Sequence, residues 1–196
     1  MHSTQQLNAI KRWSFLLYIT AVVVLSVGAN VGERPALTGN DTTATNTSLE
    51  KRIAAFKETG VEKKVSTEHY DIEQVIAFAE SMIGTPHRMG GYSAAGLDCS
   101  GLVSLAHKES NVELPRSSHD QARYGEIISQ DDELKRGDLV FFHSTYRKPH
   151  LVTHAGIYLG ENKFIHASAT RGVIISTLFD DGYYQRHYLF ATRLTD

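Results

Sequence analysis

Cysteine is the scarcest reactive residue in this chain: 196 residues contain one, Cys99. A single thiol cannot close an internal disulfide, so no disulfide framework holds the fold, and paired-cysteine zinc patterns are excluded with it. No HExxH pair occurs either. Charge of one sign is not in excess. Twenty Lys and Arg stand against 22 Asp and Glu, giving a net charge of −2, with no basic block and no basic–aromatic interleaving. That pattern argues against nucleic acid as a partner. There is no internal repeat. Long apolar runs are confined to one, WSFLLYITAVVVLSV at 13–27, preceded by Lys11 and Arg12 and followed by the small residues Gly28 and Ala29. This is the pattern of a signal-peptide core with a cleavage site, while extension to Val31 reaches the minimum length of a membrane span. Residues 1–32 are therefore expected to be a signal peptide or a membrane anchor, with a possible tether through 13–31. No cysteine follows the run, so a lipid-attachment site is excluded.

Residues 33–48 are rich in Thr, Asn, Gly and Ala and are expected to be a flexible linker, leaving 49–196 as the folded domain. The capping-box pattern Thr47–Glu50 and the apolar residues Leu49, Ile53, Ala54 and Phe56 predict a short amphipathic helix stopped by Gly60. Ile72, Val75, Ile76, Ala79, Met82 and Ile83 predict a second helix over 71–83. Residues 84–101, GTPHRMGGYSAAGLDCSG, are too rich in glycine for a long regular element and read as loop. After Asp98, a good N-cap, Leu102, Val103, Leu105 and Ala106 recur at helical spacing. Cys99 then occupies the first helical position, where free N–H groups and the helix dipole favour a thiolate and can receive an oxyanion. The same residue fits a second use, as a small buried inert side chain.

Pro115 breaks the chain, and Ser117 or Ser118 can cap a short helix through Tyr124. Arg116 is suited to a carboxylate-binding or a structural role. The last third reads as strands: Leu139–Phe142, Thr153–Leu159, Lys163–Ser168, Val173–Thr177 and Tyr188–Leu194, with a hairpin turn at Gly160-Glu161-Asn162. A cysteine nucleophile needs a base and a group to orient it. Of ten histidines, His154 and His166 lie inside the two arms of that hairpin. A three-residue turn pairs Leu159 with Lys163 and sets both histidines on one face, diagonal to each other; a two-residue turn sends them to opposite faces. A zinc site from Cys99, His154 and His166 has admissible ligands, but the remaining histidines lack paired ligand spacing. No metal and no cofactor is expected.

Six blocks now stand in order: GTPHRMGG at 84–91, DCSGLV at 98–103, LPRSS at 114–118, RGDLVFF at 136–142, THAGIYLG at 153–160 and KFIHAS at 163–168. As a set they resemble NlpC-type cell-wall cysteine peptidases over residues 70–194. The resemblance implies an α+β, papain-like fold, with N-terminal helices and a nucleophile helix packed on a mixed, mostly antiparallel sheet. It implies Cys99 as nucleophile, His154 as base and His166 as its orienting group. The implied activity is hydrolysis of peptidoglycan stem-peptide or cross-link amide bonds near diaminopimelate, by a monomer in the cell envelope, periplasmic or secreted or anchored to the inner membrane. Asp98, Ser100, Arg116 and Ser117 are candidates to bind the substrate. One position departs from the family pattern. The tyrosine expected twelve residues before the cysteine, whose hydroxyl is thought to serve the oxyanion, is His87 here, and Met89 replaces a second aromatic. His87 and Tyr92 are thus the oxyanion candidates. Two other readings of the same residues are a peptidoglycan-binding module with impaired catalysis, and an amidase or acyltransferase acting on a non-murein substrate.

Overall fold

A computed structural model describes residues 41–128, 130–146, 149–180 and 182–194. The expected leader, and the first half of the expected linker, lie outside the described residues. Helix α1 spans Asp41–Glu58. It begins six residues ahead of the capping pattern at Thr47 and so takes in the last eight residues of the segment read as linker. Lengthening an existing helix costs far less than nucleating one, which lets the packed half carry the rest. Phe56 is buried, Leu49 and Ile53 pack against the core, and Ala54 faces solvent, against expectation.

Helix α2, Ile72–Ser81, starts at Asp71, whose carboxylate accepts from the Glu73 amide at 2.9 Å. Its buried face is Val75, Ile76 and Ala79. The glycine-rich stretch is not all loop: it contains a two-stranded ladder, β1 Tyr92–Ser93 and β2 Gly96–Leu97. Strand β2 runs directly into α3, Cys99–Lys108, and the Asp98 carboxylate caps it by accepting from Gly101 N–H at 2.7 Å. Helix α4, Ser118–Gln121, is capped by Ser117.

The remaining strands are β3 Glu126–Ile128, β4 Leu139–Phe142, β5 His154–Gly160, β6 Lys163–Ser168, β7 Gly172–Thr177 and β8 Tyr188–Arg193, with the short helix α5, Tyr183–His187, ahead of β8. They form one six-stranded sheet in the order β3-β8-β4-β5-β6-β7. Every neighbouring pair in it is antiparallel. The expected mixed sheet is thus an antiparallel one, with parallel pairing confined, among the described residues, to two isolated bridges. One face, through Leu139, Phe141, Ala155, Ile157, Ile165 and Ala167, packs under α2 and α3. The opposite face, through Val140, Phe142, Tyr158 and Phe164, carries a second core. Strand β4 is buried on both sides, which is why its sequence, LVFF, is uninterruptedly apolar rather than alternating.

The β5–β6 turn decides where the histidines go. The loop proper is only Glu161-Asn162, both with positive φ (50° and 60°), and Gly160 pairs with Lys163. That is the backbone of a tight two-residue hairpin turn. A bulge at Leu159 then inserts one unpaired residue, so Tyr158 pairs with Phe164. From there inward the register is the one a simple three-residue turn would give, and His154 and His166 share a face after all.

Candidate active site

Strand parity brings the two rings together. His154 Nε2 lies 3.0 Å from His166 Nδ1, and the rings meet edge to face with centroids 5.0 Å apart. Gly156 makes this possible. It stands between them on the same face, and a Cβ there would lie 2.6 Å from Phe164 Cδ2 and 3.2 Å from His166 Cβ. The outer nitrogen of His166, Nε2, is 3.0 Å from Ser176 Oγ. Phe164 stacks on His166 at 4.6 Å, and Tyr184 of α5 packs against both His166 and Phe164 at 4.9 Å. This aromatic casing removes water from the pair. Burial, then the charge of His87, pushes His154 down to about 4, against a smaller opposing pull from Asp98. His166 is lowered as well, by burial first and then by His154 and Arg171. Both rings are accordingly neutral near pH 7.

Cys99 lies at the start of α3, 8% exposed. Burial pushes its thiol up to about 11, outweighing the backbone of Ala155, Ser100 and Cys99 itself, which favours the thiolate, while Asp98 adds to the rise. The helix start by itself favours a thiolate; desolvation reverses that preference, so the resting cleft presents a thiol and a neutral imidazole. Because His166 occupies Nε2 of His154, Nδ1 is the nitrogen left to take a proton. Protonation at Nδ1 leaves a consistent chain in which His154 Nε2–H donates to His166 Nδ1 and His166 Nε2–H donates to Ser176 Oγ. Ser176 carries no sequence motif. It is legible only from the β6–β7 register, in which Ser176 faces Phe164 two residues along from His166. Ser176→Ala is expected to lower kcat about fivefold, the worth of one hydrogen bond near 1 kcal/mol, with KM little changed. Steady-state kinetics on a defined substrate checks this.

The other expected site residues divide. His87, Asp98, Cys99, Ser100, Arg116, Ser117 and His154 line one cleft of about 900 Å³. Arg116 is committed to structure: its guanidinium forms a two-pronged ion pair with both Asp98 oxygens at 2.8 Å and also donates to Ser100 Oγ and the Gly91 carbonyl at 3.0 Å. Asp98 also accepts from Gly90 N–H at 2.9 Å, so this cluster ties the glycine loop to the start of α3. Ser117 is spent as a helix cap and on Asp120, its hydroxyl 2.6 Å from that carboxylate. Tyr92 does not line the cleft; its ring lies under the Arg116 guanidinium at 5.4 Å. His87 does line it, held by a backbone bridge to Leu97, two residues before Cys99. Sequence spacing gave no hint of His119 and His150, whose rings meet at 4.8 Å on the cleft wall. Among the described residues, no group of three or more His, Cys, Asp or Glu is arranged to hold a metal.

Comparison with known proteins identifies the family. The profile of the NlpC/P60 family matches residues 84–193. A probable endopeptidase NlpC homolog of Haemophilus influenzae is 35% identical over 153 residues, covering 76% of this chain and 79% of that protein. The murein DD-endopeptidase MepS/murein LD-carboxypeptidase of Escherichia coli is 29% identical over 191 residues, covering 96% and 92%. Among solved structures, an NlpC/P60 family protein from Bacillus cereus superposes with a TM-score of 0.57 at 31% identity, over 63% of this chain and 40% of that one. The peptidoglycan hydrolase RipB of Mycobacterium tuberculosis gives 0.56 at 25% identity, over 80% and 87%. With its sequence blocks, antiparallel α+β architecture and long matches all in agreement, this chain belongs to the NlpC/P60 family.

Proposed function

We propose that the protein is a peptidoglycan endopeptidase, a hydrolase of stem-peptide or cross-link amide bonds, working by cysteine chemistry. The observation that carries this reading is the placement of Cys99 and His154 on one cleft, with His166 buried against His154. It is supported by relatives named as murein endopeptidases. In this reading Cys99 Sγ attacks the amide carbonyl carbon as its proton passes to His154 Nδ1. His166 holds the imidazole in register and stabilises its charged form through Nδ1. The tetrahedral oxyanion is received by amides at the start of α3 and by His87. On collapse, His154 returns the proton to the leaving amine. Water, deprotonated by the same ring, then hydrolyses the thioester and restores the thiol. The substrate places the enzyme in the cell envelope, with the apolar segment 13–31 as the exporting or tethering device.

The direct test is mass spectrometry of purified sacculi after digestion with the protein. Shortened or uncoupled stem peptides support the reading, and unchanged sacculi overturn it. His87 has its own prediction. If its ring N–H serves the oxyanion, His87→Ala should lower kcat by about 10²–10³, and His87→Tyr, which restores a donor at that position, should recover most of the loss. An alanine variant as fast as the wild type would leave the oxyanion to backbone amides alone.

A further inference from the structure

Among the described residues three charged side chains line the cleft: Asp98, Arg116 and Arg171. The first two neutralise each other through paired 2.8 Å contacts, and the terminal nitrogens of Arg116 also donate to Ser100 and Gly91. Arg171 differs. It stands in the turn between β6 and β7, is exposed, and makes no ion pair or side-chain hydrogen bond among the described residues. Its position is nevertheless fixed. The next residue, Gly172, is pressed against the Thr85 carbonyl and lies close to Pro86, and Val173 N–H donates to Thr85 O at 2.9 Å. Those contacts hold the β6–β7 turn against the segment that carries His87, so Arg171 and His87 belong to the same rim. Arg171 also contributes, after burial and His154, to holding His166 below the usual imidazole range. Among the described residues the cleft thus offers one permanent cation with a free head, on the same cleft as Cys99 and His154, and no free carboxylate to compete for it.

We propose that Arg171 is a specificity-determining residue that binds a free carboxylate of the substrate close to the scissile amide. This rests on the murein reading above and names the feature of a stem peptide that the cleft selects. An arginine fork matches a carboxylate with two parallel charge-assisted bonds, which a lysine reproduces only as a point charge. The ligand is therefore an acidic peptide, and amidation of that carboxylate removes what Arg171 recognises.

The test is a cycle of two peptides and three proteins. One peptide carries the free carboxylate beside the cleaved bond; the other has it amidated. Wild type, Arg171→Gln and Arg171→Lys are compared by kcat/KM. The wild type should prefer the free acid by about 10- to 100-fold, the range for hydrogen bonds to a charged group. That preference should fall to near unity in Arg171→Gln and recover in part in Arg171→Lys, with the loss mostly in KM. A wild type that cleaves both peptides equally well, or a preference that survives Arg171→Gln, overturns the proposal and leaves the murein reading standing. Failure of the wild type to cleave either peptide, with sacculi also intact, overturns that reading and the proposal together.

Discussion

Replacing Cys99 with alanine is expected to lower stem-peptide cleavage by at least about 10⁴-fold, the scale on which loss of a nucleophile is felt. The far-ultraviolet circular dichroism should stay nearly unchanged. Both halves follow from the position of the residue. Cys99 begins α3 without capping it, because the cap is Asp98 and Asp98 is braced by Arg116, Gly90 and Gly101. Alanine is a good helix former and fits the space. What disappears is the sulfur at the start of α3, on the cleft that His154 also lines. Near-wild-type rates in Cys99→Ala would remove the cysteine mechanism. A loss of activity with loss of helical signal would instead make Cys99 a packing residue.

Acid should destabilise this protein steeply. His107, on α3, is fully buried; its Nδ1–H donates to the Val103 carbonyl at 2.8 Å, and its Nε2 has no partner. Burial pushes it down to about 4, as it does His154. In the unfolded chain both return to the ordinary histidine value near 6.5. Between those values the unfolded state holds more protons than the folded one, so stability is full above about pH 6.5 and drains away as pH falls toward about 4. Between about pH 7.5 and about pH 4.5 each of these two groups should withdraw roughly 2–3 kcal/mol. Together that is about 5 kcal/mol, a large share of the 5–15 kcal/mol that holds a typical domain. Urea denaturation at the two pH values measures the total. His107→Leu, which removes both the proton acceptor and the unpartnered nitrogen, should shrink the difference by roughly 2–3 kcal/mol. An unchanged difference would mean that His107 takes no part in it.

Residues that repeat a local pattern were legible in the sequence, and residues that depend on register were not. Asp98 as cap, Cys99 at a helix start, and the strands holding His154 and His166 all follow from composition and spacing within a dozen residues. The shared face of the two histidines was left open, because it turned on whether the hairpin loop held two residues or three. Neither bare alternative describes the chain, since the loop is short and Leu159 supplies the extra residue. Ser176, Tyr184 and the His119–His150 contact belong to segments joined only by tertiary packing, and nothing in their local sequence marks them. Helix α5 is five residues long, too short for a periodic signal. The reach of α1 into the polar segment is illegible for the opposite reason: a polar composition says little about residues that a neighbouring packed turn can recruit into helix.

The bulge at Leu159 also makes the pairing of the β5–β6 hairpin part of the catalytic specification. Closing that bulge with every residue kept, so that Leu159 took the place of Tyr158 opposite Phe164, would slide β5 one step against β6 and turn His154 toward the core beneath α3. Both histidines would still be present in the alignment, yet they would no longer meet. One-residue insertions and deletions between His154 and Tyr158, which reverse the face of His154, are therefore expected to be purged as strictly as substitutions of the histidines themselves. Loss of Leu159 alone is the exception, because it leaves Tyr158 opposite Phe164 and the two histidines facing each other.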